Sequence, residues 1–204
     1  MNVEAQIKRG RKFDQVLEGA RQVFMREGYE GASVDMIAKA AGVSKATLYS
    51  YFPDKSMLFV EVAKGECNRQ AEMSFRVEGA DVDVEKTLYG IGHNIVDFVT
   101  SPLAQRVFRI CVAESDRFPE LGQEFYETGP RQAKKLMAEY LSMAVDNGLL
   151  KIDDIPLAAQ QFGELCKCDL FDRMVFNIIK QPTQAEKDRV VDGAVKTFLA
   201  RYAA

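Results

Sequence analysis

The sequence is 204 residues long, 47% hydrophobic and 28% charged, enough to bury a core in one or two compact domains. A net charge of −3 excludes a uniformly basic nucleic-acid coat, and apolar runs only a few residues long exclude a transmembrane helix. The start, MNVEAQIKRGRKFDQ, has basic groups but lacks the apolar stretch of a secretory signal.

Cys67, Cys111, Cys166 and Cys168 follow no disulfide-framework spacing, so a reducing cytoplasm is the expected setting. Charge is unevenly placed. Residues 1–55 hold nine Lys/Arg against seven Asp/Glu, whereas the remainder holds 18 against 23. A modest positive field therefore sits at the N-terminal end. Lys8, Arg9, Arg11 and Lys12 precede the first apolar period and read as a basic arm, either solvated or reaching a phosphate or the minor groove.

Phe13, Val16, Leu17, Ala20 and Phe24 mark a first helix that ends near Gly28. Ser33 is placed to cap a second, with Asp35 in its first turn and Val34, Ile37, Ala38 and Ala41 on one face. Gly42 can take the left-handed conformation that stops it. Ser44 can cap a third helix, Lys45 to Tyr51, which turns Leu48 and Phe52 inward and halts at Pro53. Two short helices across a Gly turn are the helix-turn-helix plan, whose second helix enters the DNA major groove.

Ser56 is expected to cap a longer helix running towards Phe75, and the polar stretch Glu78–Glu85 reads as a loop between N- and C-terminal regions. Thereafter only helical periods are found. Leu88 to Val99 form one, closed by Ser101-Pro102; Leu103 to Cys111 form another, ended by Phe118-Pro119. Gly129-Pro130 opens a helix that stops at Asp146-Asn147-Gly148. No run alternates with period two, so the fold is expected to be all-α.

The last two periods are broadly apolar. Ala158, Phe162, Leu165, Cys168, Phe171, Val175 and Ile178 make one stripe, and Val191, Ala194, Val195, Phe198 and Tyr202 the other. Such helices are either deeply buried or shared with a second subunit. The shared reading, favoured because helix-turn-helix readers span two half-sites as dimers, puts Phe162, Leu165, Phe171, Val175, Val191, Val195 and Phe198 in a dimer interface.

On the third helix, Lys45, Ala46, Thr47, Tyr49 and Ser50 are not needed for packing. Lys45 can reach a phosphate or a guanine edge, and Thr47 can bond a base or set its methyl against thymine. Tyr49, Tyr51, Lys55 and the hydroxyls of Ser33 and Ser44 are further candidates for DNA contact, while Tyr51 can equally seal the core. His93 is either a structural histidine or a ligand contact, and Phe98, Phe108, Cys111, Phe125, Tyr126 and Phe162 either line a pocket or form core. Cys166 and Cys168 point about 200° apart on a helix, a poor chelate, so no metal site is expected; thiol or metal sensing stays an alternative. No nucleophile–base pair or Gly-rich phosphate loop appears, so no cofactor is implied and the readings of helical enzyme or bare scaffold are disfavoured.

The segment GASVDMIAKAAGVSKATLYSYFPDKSMLF resembles the DNA-binding signature of the TetR family of bacterial transcriptional repressors. Ala32-Ser33, Ile37-Ala38, Ala41-Gly42-Val43-Ser44, Thr47-Leu48-Tyr49, Tyr51-Phe52, Lys55 and Leu58-Phe59 carry the resemblance; Ala46 and Ser50 stand where the family often has Gly and His. More weakly, Arg117 to Leu121, Phe125-Tyr126, Gly129-Pro130 and Gly148-Leu149-Leu150 resemble the AefR- and AcrR-like branch. The resemblance implies a cytoplasmic homodimeric repressor released from double-stranded operator DNA by a small apolar or amphipathic effector. Residues 1–55 would form a three-helix DNA-binding domain and 56–204 a larger effector-binding and dimerisation domain. By position, Lys45, Ala46, Thr47, Tyr49, Tyr51 and Lys55 would touch DNA.

Overall fold

A computed structural model describes residues 11–74, with side chains as far as Lys64, and 83–204. These residues form eleven α-helices, and no strand occurs among them beyond a single bridge between Leu150 and Ala203. Contacts divide the chain into two compact units, 1–66 and 67–204.

The first unit holds α1 (Arg11–Gly31), α2 (Val34–Ala41), α3 (Lys45–Tyr51) and the start of α4 (Lys55–Ser74). Arg11 and Lys12 are already in α1, not in an arm; Lys8 and Arg9 lie outside the described residues. Phe13, Val16, Ala20, Val23 and Phe24 bury one face of α1 against Ile37, Ala38, Leu48, Phe52, Leu58 and Phe59. Each of α2 and α3 is too short to hold alone, so this shared core fixes them. Gly19 lets α1 and α2 approach closely: a Cβ there would stand 2.6 Å from the Ala41 amide nitrogen. α1 is kinked at Gly28, three residues before its end, where a φ of 69° belongs to the left-handed region. The cap of α4 is Asp54, not Ser56. Asp54 Oδ1 accepts from the Met57 amide at 3.0 Å and from the Ser56 hydroxyl at 2.5 Å, while Ser56 itself is buried.

The second unit contains α5 (Val84–Val99), α6 (Pro102–Glu114), α7 (Pro119–Thr128), α8 (Pro130–Asp146), α9 (Ile155–Leu165), α10 (Leu170–Val175) and α11 (Gln184–Tyr202). Phe75 and residues 78–82 of the polar stretch lie outside the described residues; Asp83 caps α5 by accepting from the Lys86 amide, and Val84 and Glu85 are already helical. The core gathers Leu88, Ile91, Met137, Leu141, Phe162, Leu170, Val191, Val195 and Phe198. Tyr89 donates to Asp192 at 2.7 Å and Lys187 pairs with Asp97 at 2.7 Å, joining α5 to α11.

Two elements depart from the sequence pattern. Pro119 does not simply end a helix; it occupies the first turn of α7, where its missing N–H has no partner to lose. The stripe from Ala158 to Ile178 is not one helix. The chain leaves α9 at Cys166 and restarts after Asp169, whose φ is 65°, so Cys168 and Ile178 fall outside the stripe and are exposed.

Candidate nucleic-acid interface

The exposed side of α3 is set by what its other side does. Leu48 is fully buried and Phe52 nearly so, with Phe52 stacked on Phe13 at 5.4 Å between ring centres. At about 100° per residue this turns Ala46 and Ser50 to the opposite side and Tyr49 to the flank, with Lys45 at the exposed start of the helix, and all four are exposed. Tyr49 keeps 48% of its surface in water, a large exposed aromatic. Tyr51 is half-buried, its ring edge-on to Phe13 at 5.7 Å, so it both seals the core and borders the exposed stripe.

Local hydrogen bonds fix the helix before any partner arrives. Ser33 Oγ accepts from the Met36 amide at 3.2 Å, and Gly42, in the left-handed region with φ 63°, closes α2. Ser44 Oγ accepts from the Thr47 amide at 3.1 Å and lies 2.9 Å from Thr47 Oγ1, while the Ser50 hydroxyl donates to the Thr47 carbonyl at 2.6 Å. The serines at 33, 44 and 50 thus have backbone work within the unit. Lys45 Nζ meets Asp35 Oδ1 at 2.5 Å on the exposed surface. Lys55 is placed differently: its ammonium donates to the carbonyls of Tyr29 and Ala32 and lies over the Tyr29 ring.

Two family descriptions match. "Bacterial regulatory proteins, tetR family" covers residues 16–62, and "AefR-like transcriptional repressor, C-terminal domain" covers residues 86–204, more than half of the chain. The chain belongs to the TetR family of transcriptional regulators. It is 40% identical over 187 residues to the HTH-type transcriptional regulator YhgD of Bacillus subtilis, covering 91% of this chain and 93% of YhgD. It is 38% identical over 73 residues to the HTH-type transcriptional repressor AcnR of Corynebacterium glutamicum, and that match spans 36% of this chain and only 39% of AcnR. Among solved structures, the flavonoid-responsive regulator FrrA superposes with a TM-score of 0.71 at 33% identity, covering 96% of this chain and 98% of FrrA. This is a family of regulators, not of enzymes. The helix-turn-helix within its N-terminal unit is the one built by α2 and α3.

In the second unit of this TetR-family chain, the expected ligand residues are not gathered in one place. Phe108 on α6 lies 6.3 Å from Phe125 on α7 and 5.0 Å from Phe171 on α10, ring centre to ring centre. Cys111 is buried one turn further along α6. Phe162, by contrast, is fully buried and edge-on to Phe198 at 5.2 Å, deep in the core formed with α11. His93 Nδ1 stands 3.8 Å from Asp188 on α11, Phe98 is half-buried on α5, and Tyr126 is exposed with the Lys134 ammonium 5.4 Å from its ring centre.

The dimer candidates divide in the same way. Phe162, Val191 and Val195 are fully buried within their own chain, and Phe198, also buried, lines the groove between α9 and α11. Leu165, Phe171 and Val175 remain half-buried. The apolar surface that α9 and α11 do present is a groove of about 600 Å³ lined by Leu157, Gln161, Leu165, Cys168, Thr197 and Arg201 among others. Cys166 and Cys168 are separated by burial as well as direction: Cys166 is buried, which pushes its thiol up to about 12, and Cys168 is exposed. No cluster of three His, Cys, Asp or Glu able to hold a metal occurs among the described residues, and no described helix is long and apolar enough to cross a membrane.

Two side chains with polar work were passed over in the sequence. Arg109 on α6 donates through Nη2 to the Met174 carbonyl at 2.6 Å and through Nη1 to Asn177 Oδ1 at 3.0 Å. Gln105, one turn earlier, is buried and donates to the Val99 carbonyl at 2.7 Å. No short motif announces such residues; a polar side chain at an i, i+4 spacing within an apolar period was the available signal.

Proposed function

We propose that the protein is a cytoplasmic homodimeric repressor that grips a pseudo-palindromic operator with α3 and releases it when a small effector occupies the second unit. The observation that carries the reading is the exposed stripe of Lys45, Ala46, Tyr49 and Ser50 on a helix held from behind by Leu48 and Phe52. Such a helix has no packing use for its polar face. In a two-fold dimer the paired recognition helices stand about 34–36 Å apart, one turn of DNA. Thr47 and Lys45 then read bases, and Tyr49 and Tyr51 hold phosphates.

The dimer contact proposed is the α9–α11 groove, which Leu165 lines and beside which Leu157 is exposed, whereas Phe162, Val191 and Val195 are buried within each chain. The first unit binds DNA; the second binds effector and partner. FrrA's response to flavonoids supports an apolar or amphipathic effector here. A coupling of about 1–3 kcal/mol between effector and operator changes affinity roughly 5- to 150-fold.

An unbiased selection of bound DNA tests this. A palindromic consensus is expected from wild type, with altered base preference for Thr47→Ala. Recovery of random sequence, or a Thr47→Ala preference identical to wild type, contradicts the assigned readout.

A further inference from the structure

Gln105, Phe108, Arg109 and Val112 recur at three- and four-residue intervals and share one face of α6. Gln105 is only 3% exposed; its amide donates to Val99, but its Oε1 is buried and accepts from no donor among the described residues. Arg109 uses both terminal nitrogens on Met174 and Asn177, while its Nε is buried and has no acceptor among the described residues. A buried acceptor and a buried donor therefore stand one helical turn apart. Native interiors rarely leave such groups unpaired, because each has lost its water and gained no partner. Between them on the same face projects Phe108, edge-on to Phe171 and Phe125.

The missing partner can be described chemically. It must donate to an amide oxygen and accept from a guanidinium N–H. A carboxylate cannot do the first, and an ammonium cannot do the second. A hydroxyl does both with one atom. The aromatic edges beside it favour a flat unsaturated body. We propose that Gln105 and Arg109 form the polar end of a subsite for a phenol whose ring lies among Phe108, Phe125 and Phe171. This identifies the class of effector and rests on the effector-responsive reading above.

The outer end of the subsite is dressed for such a ligand. Asn177, held by Arg109, sits between Phe176 and Ile178, which are 75% and 71% exposed, and Val112 continues the α6 face into solvent. Exposed apolar side chains at a polar gap give an aromatic molecule a place to land. Arg109 also holds the Met174 carbonyl in the last turn of α10, so a ligand that engages its Nε acts on the segment that ends that helix.

Calorimetric titration of the full chain with 4-hydroxybiphenyl and with 4-methoxybiphenyl tests the proposal. The wild type is expected to bind the phenol about tenfold or more tightly than the ether, since the ether cannot donate. In Gln105→Leu the ratio of the two affinities is expected to fall to near one, and in Gln105→Met, whose unbranched side chain keeps the length but offers no amide acceptor, it is expected to fall as well. A ratio measured on one protein does not move with a general loss of stability, and Gln105→Met serves if Gln105→Leu does not fold. Equal affinities in the wild type, no binding of either probe, an unchanged ratio in both variants, or a crystal grown with the phenol that holds only water between the two groups each overturn the subsite. Operator binding without ligand is measured in parallel, so failure of the regulator reading is distinguished from failure of this one.

Discussion

Lys55 Nζ donates to the carbonyl oxygen of Tyr29 at 2.8 Å and sits 4.3 Å from the centre of the same residue's ring. A second bond, to the Ala32 carbonyl at 3.0 Å, completes a tie between the first turn of α4 and the junction of α1 with α2. The family resemblance implies a phosphate contact for this lysine, whereas its bonds are those of a strut. Lys55→Met removes charge-assisted bonds of about 1.5–3 kcal/mol and is expected to lower both melting temperature and operator affinity. The dependence of log K on log salt is expected to keep its slope. A slope reduced by about 0.9 for each copy of Lys55 would assign the ammonium to the DNA instead.

Gly19 offers an inverted response to a familiar change. Gly to Ala inside a helix normally stabilises by about 1 kcal/mol. Here the added methyl meets the backbone of Ala41 at 2.6–2.7 Å, and backbone cannot swing aside. Gly19→Ala is expected to destabilise the N-terminal unit by about 1–3 kcal/mol, as overpacked cores do. Urea unfolding of the variant against wild type decides the sign.

Phe198 and Leu157 separate core from interface. Phe198 is 1% exposed in the single chain and Leu157 is 49% exposed beside the groove. Phe198→Ala is expected to lose about 3–5 kcal/mol of stability, whereas Leu157→Glu leaves the melting temperature near wild type and halves the particle mass in sedimentation. A Leu157→Glu protein that remains dimeric moves the contact to another face.

The thiols answer to pH. Burial raises the Cys166 thiol to about 12, so at pH 8 it remains protonated and unreactive, and reactivity returns only as pH climbs towards that value or as the fold opens. Iodoacetamide at pH 8 is expected to label Cys168 and spare Cys166, as read by peptide mass mapping. Early labelling of Cys166 would show that its surroundings open readily.

The helix pair was legible because each boundary carries its own chemistry: Ser33 and Ser44 at the starts, Gly42 and Pro53 at the stops. The break before α10 was not, since Cys166 to Asp169 contains neither Gly nor Pro, and a left-handed aspartate leaves no mark in an apolar period. Phe162 and Phe198 show a second limit. Periodicity states that a face is covered but not by whom, and here the cover is the chain's own α5 and α11. Lys55 shows a third: a lysine at a family's DNA-contact position has three protons to place, and only coordinates show that carbonyls hold two of them.

The carboxylate of Asp35 beside Lys45 gives the reading face an internal opponent. Were Lys45 released from Asp35 to meet a guanine, as proposed, it would leave behind a negative charge at the groove edge, where a misplaced phosphate would be repelled. An exposed pair of this kind contributes little to folding. If Lys45 reads a base as proposed, the pair would act on register: a helix seated one base out of place would forfeit the lysine contact and keep the repulsion. Asp35→Asn is then expected to narrow the affinity gap between operator and mismatched DNA while leaving the melting temperature near wild type, so that a surface ion pair in the free protein would serve as a proofreading couple on DNA.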